Sequence, residues 1–304
     1  AEAVERLQFD LRWQVALQVW SEDALVLQSW QESAPLVATM PDTVLQALAN
    51  NVSWWLEAAS KSIERHEAVL LDLCRRVLLL SIDSESGITQ NAEPIHRPVS
   101  EAINHPVGHV TQALLHFWVK RGPSDNDRLP AEIDALFTQL CDLNVNRFRH
   151  GRVLLASRLI ALFRVDREWT ERHLLPLFDW TNLPDEARSV WSGFLWSPRL
   201  YGPLLVALKS QFLDTANHFA ELGEQSSQFV AFLTYAALEP VDGYSSQDFR
   251  SAFAVLTVDA LELAAQALTR ALGASVEQRE DYWKHRIAPF WQTVWPKSRE
   301  LATN

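Results

Sequence analysis

Apolar residues recur along this chain at helical intervals rather than in alternation. Leu70, Leu73, Val77 and Leu80 fall at i, i+3, i+7 and i+10, and Val107, Val110, Leu114 and Phe117 repeat that spacing. Leu155, Leu159, Leu162 and Phe163 give i, i+4, i+7 and i+8. Leu204, Leu205, Leu208, Phe212 and Leu213 form another stripe, and Leu261, Ala264, Leu268 and Leu272 a further one. Each pattern puts one apolar face on an amphipathic helix, and no period-two run is long enough to compete. The breakers agree with this reading. Pro41-Asp42, Pro106, Pro130 and Pro184 sit where first-turn prolines belong. Asp185 and Glu186 lie near a positive dipole end. Gly273 is placed to close a long helix beginning near Gln247. Helices are predicted to start near residues 42, 64, 106, 130, 149, 168, 184, 200, 226, 247 and 277. The starts at 149, 184 and 226 advance by roughly 35–42 residues, within the range of helical-hairpin repeats. The expected fold is all-α, with helical hairpins stacked as an irregular HEAT-like α-solenoid or a helical bundle.

One stretch interrupts the pattern. Residues 83–104 contain Pro94, Pro98 and many polar side chains, and read as a loop or boundary. The expected organisation is a helical segment at 1–82 and a helical-repeat domain at 105–304. Composition supports helix over sheet: 44 Leu stand against 8 Ile, and only 9 of the 304 residues are Gly. The net charge of −11 opposes non-specific attraction to nucleic acid or anionic lipid. It is unevenly spread, because 146–172 holds seven Arg against three acids. Cys74 and Cys141 are too far apart in sequence for a metal motif, and read as buried thiols of a reducing cytoplasm. No uncharged stretch reaches the roughly 18–20 residues needed to span a bilayer. The first residues carry no secretory signal. The chain opens on Ala1 rather than Met, which points to an excerpt from a longer polypeptide.

Three groups of side chains are candidates for function. His105, His109 and His116 lie within about 40° of one another on a helical wheel, opposite the apolar face of their helix. His105 and His109 have the i, i+4 spacing that can share a metal ion, whereas His116 is about 10 Å further along the axis. With no carboxylate ligand nearby in sequence, the plainer reading is a solvated polar face or a partner contact. The second group is Arg147, Arg149, Arg152, Arg158, Arg164, Arg167 and Arg172. Its first three members, with His150, cluster at a predicted helix start, where forked donors and free N–H groups favour anions. These residues could meet an acidic protein surface or, as the alternative, a nucleic acid. The plainer reading pairs them with acids of the same chain. The third group is aromatic: Trp191 and Trp196 in WSGFLWSPRLYGP, and Trp283, Trp291 and Trp295 in YWKHRIAPFWQTVWPKS. Core packing or a protein contact accounts for such density. No GxSxG, P-loop, GxGxxG or Cys-rich metal spacing is present, so no catalytic, cofactor or metal residue is assigned.

The strings EARSVWSGFLWSPRLYGPLLVALKSQFL at 186–213 and HRIAPFWQTVWPKSREL at 285–301 are similar to the helical C-terminal region of large bacterial anti-phage defence proteins. Many of these carry a sirtuin-like N-terminal domain. The resemblance spans about residues 150–301 and rests on packing strings rather than catalytic residues. It implies a sensing or assembly role, with any NAD chemistry in a separate domain. This chain has no glycine fingerprint to hold a dinucleotide. The expected function is therefore a non-catalytic interaction domain. Its partner would be another domain, another subunit or a phage protein, with self-association as one form. A metal enzyme built on His105 and His109 is the remaining alternative.

Overall fold

The computed structural model describes residues 2–82, 88–90, 93–95, 97–197 and 199–297. Among the described residues the chain is all-α apart from one short hairpin, in which Ile88–Gln90 pairs antiparallel with Glu93–Ile95. It divides into two compact units at Leu174/Leu175. This corrects the expected boundary at 83–104, because helices on either side of that stretch pack together in the first unit. The stretch is also less irregular than expected. Besides the hairpin it contains a helix, Pro98–Asn104, opened by Pro98 and by the Glu101 carboxylate, which accepts the Arg97 backbone N–H at 3.2 Å.

The first unit contains α1 (Glu2–Trp20), α2 (Val26–Ala38), α3 (Asp42–Ala47), α4 (Ala49–Ser60), α5 (Glu67–Leu79), α6 (Pro98–Asn104), α7 (Pro106–Lys120), α8 (Ala131–Leu140), α9 (Arg149–Ser157), α10 (Leu159–Val165) and α11 (Arg167–His173). The sequence pattern foretold most of these but nothing before residue 42. The reason lies in α1, which is apolar on two faces. Leu17 is buried and Trp13 and Trp20 turn toward the core, while Leu11, Val15 and Val19 point outward. A helix with two apolar stripes shows no single amphipathic period.

The helix α7 organises this unit. No residue from His105 to Trp118 is exposed, and α4, α5, α6 and α9 all pack on it. Such close approach requires small residues. A Cβ at Gly108 would lie 1.6 Å from the Ala102 carbonyl oxygen, and one at Gly151 would lie 2.6 Å from a Leu140 methyl. Farther along, Trp30 and Trp55 pack with ring centres 4.9 Å apart. Their indole N–H groups donate to the Arg65 carbonyl and to Ser29 Oγ, so neither is buried without a partner. Arg76 ties α5 to the turn between α2 and α3 by donating to the Ala38 and Met40 carbonyls and to Asp42.

The second unit contains α12 (Pro184–Leu195), α13 (Gly202–Ala207), α14 (Lys209–Asp214), α15 (Ser226–Leu238), α16 (Ser246–Ala254), α17 (Val258–Ala274), α18 (Arg279–Tyr282) and α19 (Ala288–Thr293). Its centre is aromatic: Trp191 is fully buried against Phe178, Phe194, Phe212 and Phe229. The long helix expected from Gln247 is two helices. Thr257 breaks it by accepting the Ala260 N–H, while Ser245 and Asp248 form a capping box at the start of α16. Gly273 lies inside α17 rather than beyond it. The helix expected from 277 is broken by a π-helical turn, Trp283–Ile287, ahead of Pro289, which has no N–H to donate.

Two glycine substitutions separate these environments. Gly108→Ala forces a methyl group onto a backbone carbonyl and is expected to lower stability by about 2 kcal/mol or more. Gly273→Ala meets nothing within 4 Å and is expected to raise it by about 0.5–1 kcal/mol through helix propensity. Urea unfolding of both variants beside the wild type checks the pair.

Candidate functional site

The chemistry-bearing residues of the sequence converge most closely where α6, α7 and α9 meet. His105 occupies the corner, closing α6 and opening α7. Because Pro106 follows it, the Val107 N–H is the first backbone donor of α7, and His105 Nδ1 accepts it at 3.0 Å. The His105 ring is 4% exposed and stacks on His150, with centres 4.0 Å apart and planes 18° apart. Burial holds the His105 imidazolium pKa down to about 3, with His150, His109 and Arg147 adding positive charge nearby. Burial likewise lowers the pKa of His150; Glu101 opposes that shift, while Arg149 and Arg152 reinforce it.

The other two histidines lie on the α4 side. His109 Nδ1 is 2.6 Å from the Glu57 carboxylate, which also accepts from Gln112 at 3.1 Å. His116 Nδ1 is 3.3 Å from Ser60 Oγ, and burial lowers the His116 pKa. The solvated polar face expected for His105, His109 and His116 is thus corrected. Polar groups of α4 and α9 cover it and turn it into interhelical seams. Each histidine Nδ1 is committed to a different partner. Among the described residues no three His, Cys, Asp or Glu side chains are grouped so as to hold a metal ion.

The arginines separate by role. Arg152 is 0% exposed, and its Nη1 donates to the Leu140 and Asp142 carbonyls at 3.2 and 2.9 Å, satisfying the end of α8. The expectation that it meets a partner is corrected: its guanidinium serves as a buried helix cap. Arg147 donates to the Leu78 carbonyl at the end of α5 and lies over the Phe148 ring. Arg149 is half-buried at the first position of α9, beside His150. Arg164 pairs with Asp125 at 3.0 Å, Arg167 with Glu171 at 2.7 Å and Arg172 with Glu168 at 2.6 Å. Asn126 and Arg128 N–H groups donate to the Arg164 and Val165 carbonyls, and so hold the loop carrying Asp125 in place. Exposed pairs of this kind add little stability, but they offset much of the local positive charge. Arg158 remains on the exposed surface.

The tryptophans divide as well. Trp191 is core, and its indole N–H donates to the Phe178 carbonyl. Trp291 and Trp295 are half-buried, 4.2 Å apart beside Phe290. Trp196 and Trp283 are 52% and 48% exposed. Motif reading overlooked the outward stripe of α1, where Leu11, Val15 and Val19 are 52%, 60% and 39% exposed. Their i, i+4, i+8 spacing was a readable signal, masked by the second apolar face of the same helix. No family model, curated protein or solved structure matches the chain.

The assignment of Arg152 as a cap has a direct check. Arg152→Met removes the Nη1 donor from the buried Leu140 carbonyl and from the Asp142 carbonyl, and is expected to lose about 2 kcal/mol or more in urea unfolding. Arg172→Ala, at an exposed pair, is expected to change stability by no more than about 0.5 kcal/mol. Equal small losses in both variants would place Arg152 at the surface.

Proposed function

We propose that this chain is a non-catalytic helical interaction domain of a larger bacterial anti-phage defence protein. Its partner is another domain of that polypeptide, a second subunit or a phage protein, in a cytoplasmic setting. The observation that carries the reading is the outer face of α1. Three apolar side chains, Leu11, Val15 and Val19, line one exposed face of a helix whose opposite side already packs on the core. Exposed apolar and aromatic groups are what contact surfaces use, and Trp196 and Trp283 add two more. The defence setting is supported by the resemblance of 186–213 and 285–301, whose residues Trp191, Phe194, Phe212 and Phe290 are buried. The free thiols of Cys74 and Cys141 fit a reducing compartment. No helix among the described residues is long and apolar enough to cross a membrane.

The arginine cluster supports the reading less than its composition promised. Arg152 is internal, and Arg164, Arg167 and Arg172 have acidic partners, which leaves Arg147 and Arg149 as the members flanking the α6–α7–α9 junction. The nucleic-acid alternative depends on an extended basic surface and loses support from the same pairing.

Sedimentation of the purified chain across the micromolar range checks the self-assembling form of this reading. The double substitution Val15→Glu, Val19→Glu is expected to remove concentration-dependent association. It is also expected to move the unfolding free energy by no more than about 0.5 kcal/mol, the scale of ordinary surface changes. A strictly monomeric wild type would reserve the stripe for a different protein. A large loss of stability in the double variant would make the stripe core and remove the main support. Turnover of NAD by the purified chain would overturn the non-catalytic assignment.

A further inference from the structure

We infer that the α6–α7 corner is a proton-sensitive latch, in which protonation of His105 and the cap that His105 provides to α7 are mutually exclusive. The argument begins with the ring nitrogens. Nδ1 of His105 accepts the Val107 N–H, so it carries a lone pair and the ring proton sits on Nε2. A neutral imidazole has one basic nitrogen, and here it is the nitrogen that caps the helix. A proton taken from solvent must bind Nδ1, and doing so leaves the Val107 N–H without its acceptor.

The surroundings strengthen this exclusion. The new charge would sit at the positive end of the α7 dipole, 4% exposed, with its ring stacked on His150. The charged and titratable groups acting on the pair are Glu101 from α6, His109 from α7, and Arg147, Arg149, His150 and Arg152 at or just before the start of α9. Glu101 is the one acid among them. A cation formed at His105 therefore finds a predominantly basic environment as well as a lost hydrogen bond. Opening the corner relieves both, because the freed imidazole can be hydrated.

The position of His105 gives this opening a consequence. The residue ends α6 and begins α7, Gly108 lies against the Ala102 carbonyl, and α9 packs on both helices. Release of the corner loosens α6 from α7 and with it the start of α9, where Arg147 and Arg149 sit. Ser, Thr, Asp and Asn are the usual N-caps and remain acceptors through the mildly acidic range. Histidine makes this cap conditional on pH. The latch goes beyond the interaction reading and does not rest on it.

The direction of the pH effect follows from proton linkage. His105 binds its proton far less readily in the closed corner than in an open one, where the ordinary imidazole pKa of about 6.5 applies. The closed state is favoured fully above that value and loses ground as pH falls below it. Hydrogen exchange of the wild-type chain, with intrinsic exchange rates divided out, reads this directly. Protection in peptides covering 98–112 is expected to fall by close to tenfold per pH unit below about 6 for one proton taken up. Peptides from α2 in the same unit are expected to hold theirs. His105→Asn keeps an acceptor at the cap without a titrating ring, and is expected to flatten the corner's dependence. A pH-independent corner, a fall shared equally by α2, or an unchanged slope in His105→Asn would each overturn the latch. If His105→Asn does not fold, the imidazole nitrogen shifts of wild-type His105 at neutral pH decide. An Nε2–H tautomer sustains the latch, and an Nδ1–H tautomer overturns it.

Discussion

A helix covered along most of its length must find partners for nearly all the polar groups it carries, and α7 is such a helix, with the Trp118 indole N–H its exception. From His105 to Trp118 no residue reaches the exposed surface, yet the segment holds three histidines, a threonine and a glutamine. Their satisfaction dictates the neighbours. Glu57 and Ser60 of α4 face His109 and His116, His150 of α9 stacks on His105, and Thr111 returns its hydroxyl proton to the Val107 carbonyl. An unpaired buried polar group costs more than a typical hydrogen bond gains, so these seams act mainly by excluding other arrangements. The apolar face of α7 is compatible with many packings. Its polar face is compatible with few.

The same constraint explains which parts of the structure were readable in advance. Periodicity located α5, α7 and α17 because each puts a recognisable apolar face on the core, and Pro130 and Pro184 marked the starts of α8 and α12. It failed at α1, where apolar residues on two faces erase the period. It failed differently at the start of α17, where one threonine side chain ends the apparent continuity. The histidines were found as a set, but their surroundings were misjudged. The wheel shows that they share a face and carries no information about what lies across from it. Glu57 is separated from His109 by 52 residues, and that distance along the chain leaves no local trace. Arg152 is the sharper case. Composition placed it in a basic surface cluster, while the fold uses its length and forked donors to close α8 from inside.

Charge and aromatic density change meaning in a similar way. The seven arginines between 146 and 172 looked like one feature of an acidic chain. They are a buried cap, a contact at the end of α5, the half-buried Arg149 at the start of α9, a set of surface ion pairs and the exposed Arg158. The tryptophans divide between core and surface even within one short string: Trp191 fills the centre of the second unit, and Trp196, five residues on, stands at the end of α12 in solvent. In both groups the residue type limits what a side chain can do, and the element that carries it decides which of those uses is made.

These assignments bear on function through what they consume. A catalytic histidine needs a free basic nitrogen or an exchangeable proton within reach of a substrate. His105 Nδ1 is spent on a helix cap, while His109 and His116 each engage Nδ1, with Glu57 and Ser60, and keep Nε2. Burial raises the pKa of Cys74 well above the ordinary thiol range and that of Cys141 to about 12, which keeps both away from the reactive thiolate form. These three histidines sit in seams between helices and the two cysteines are free thiols, whereas His66 and His285 lie on the exposed surface. The structure also presents to solvent the apolar ridge of α1, isolated tryptophans and arginines flanked by acids. His105, whose cap on α7 a proton at Nδ1 would remove, is the point at which the buried polar network answers to the surroundings of the molecule.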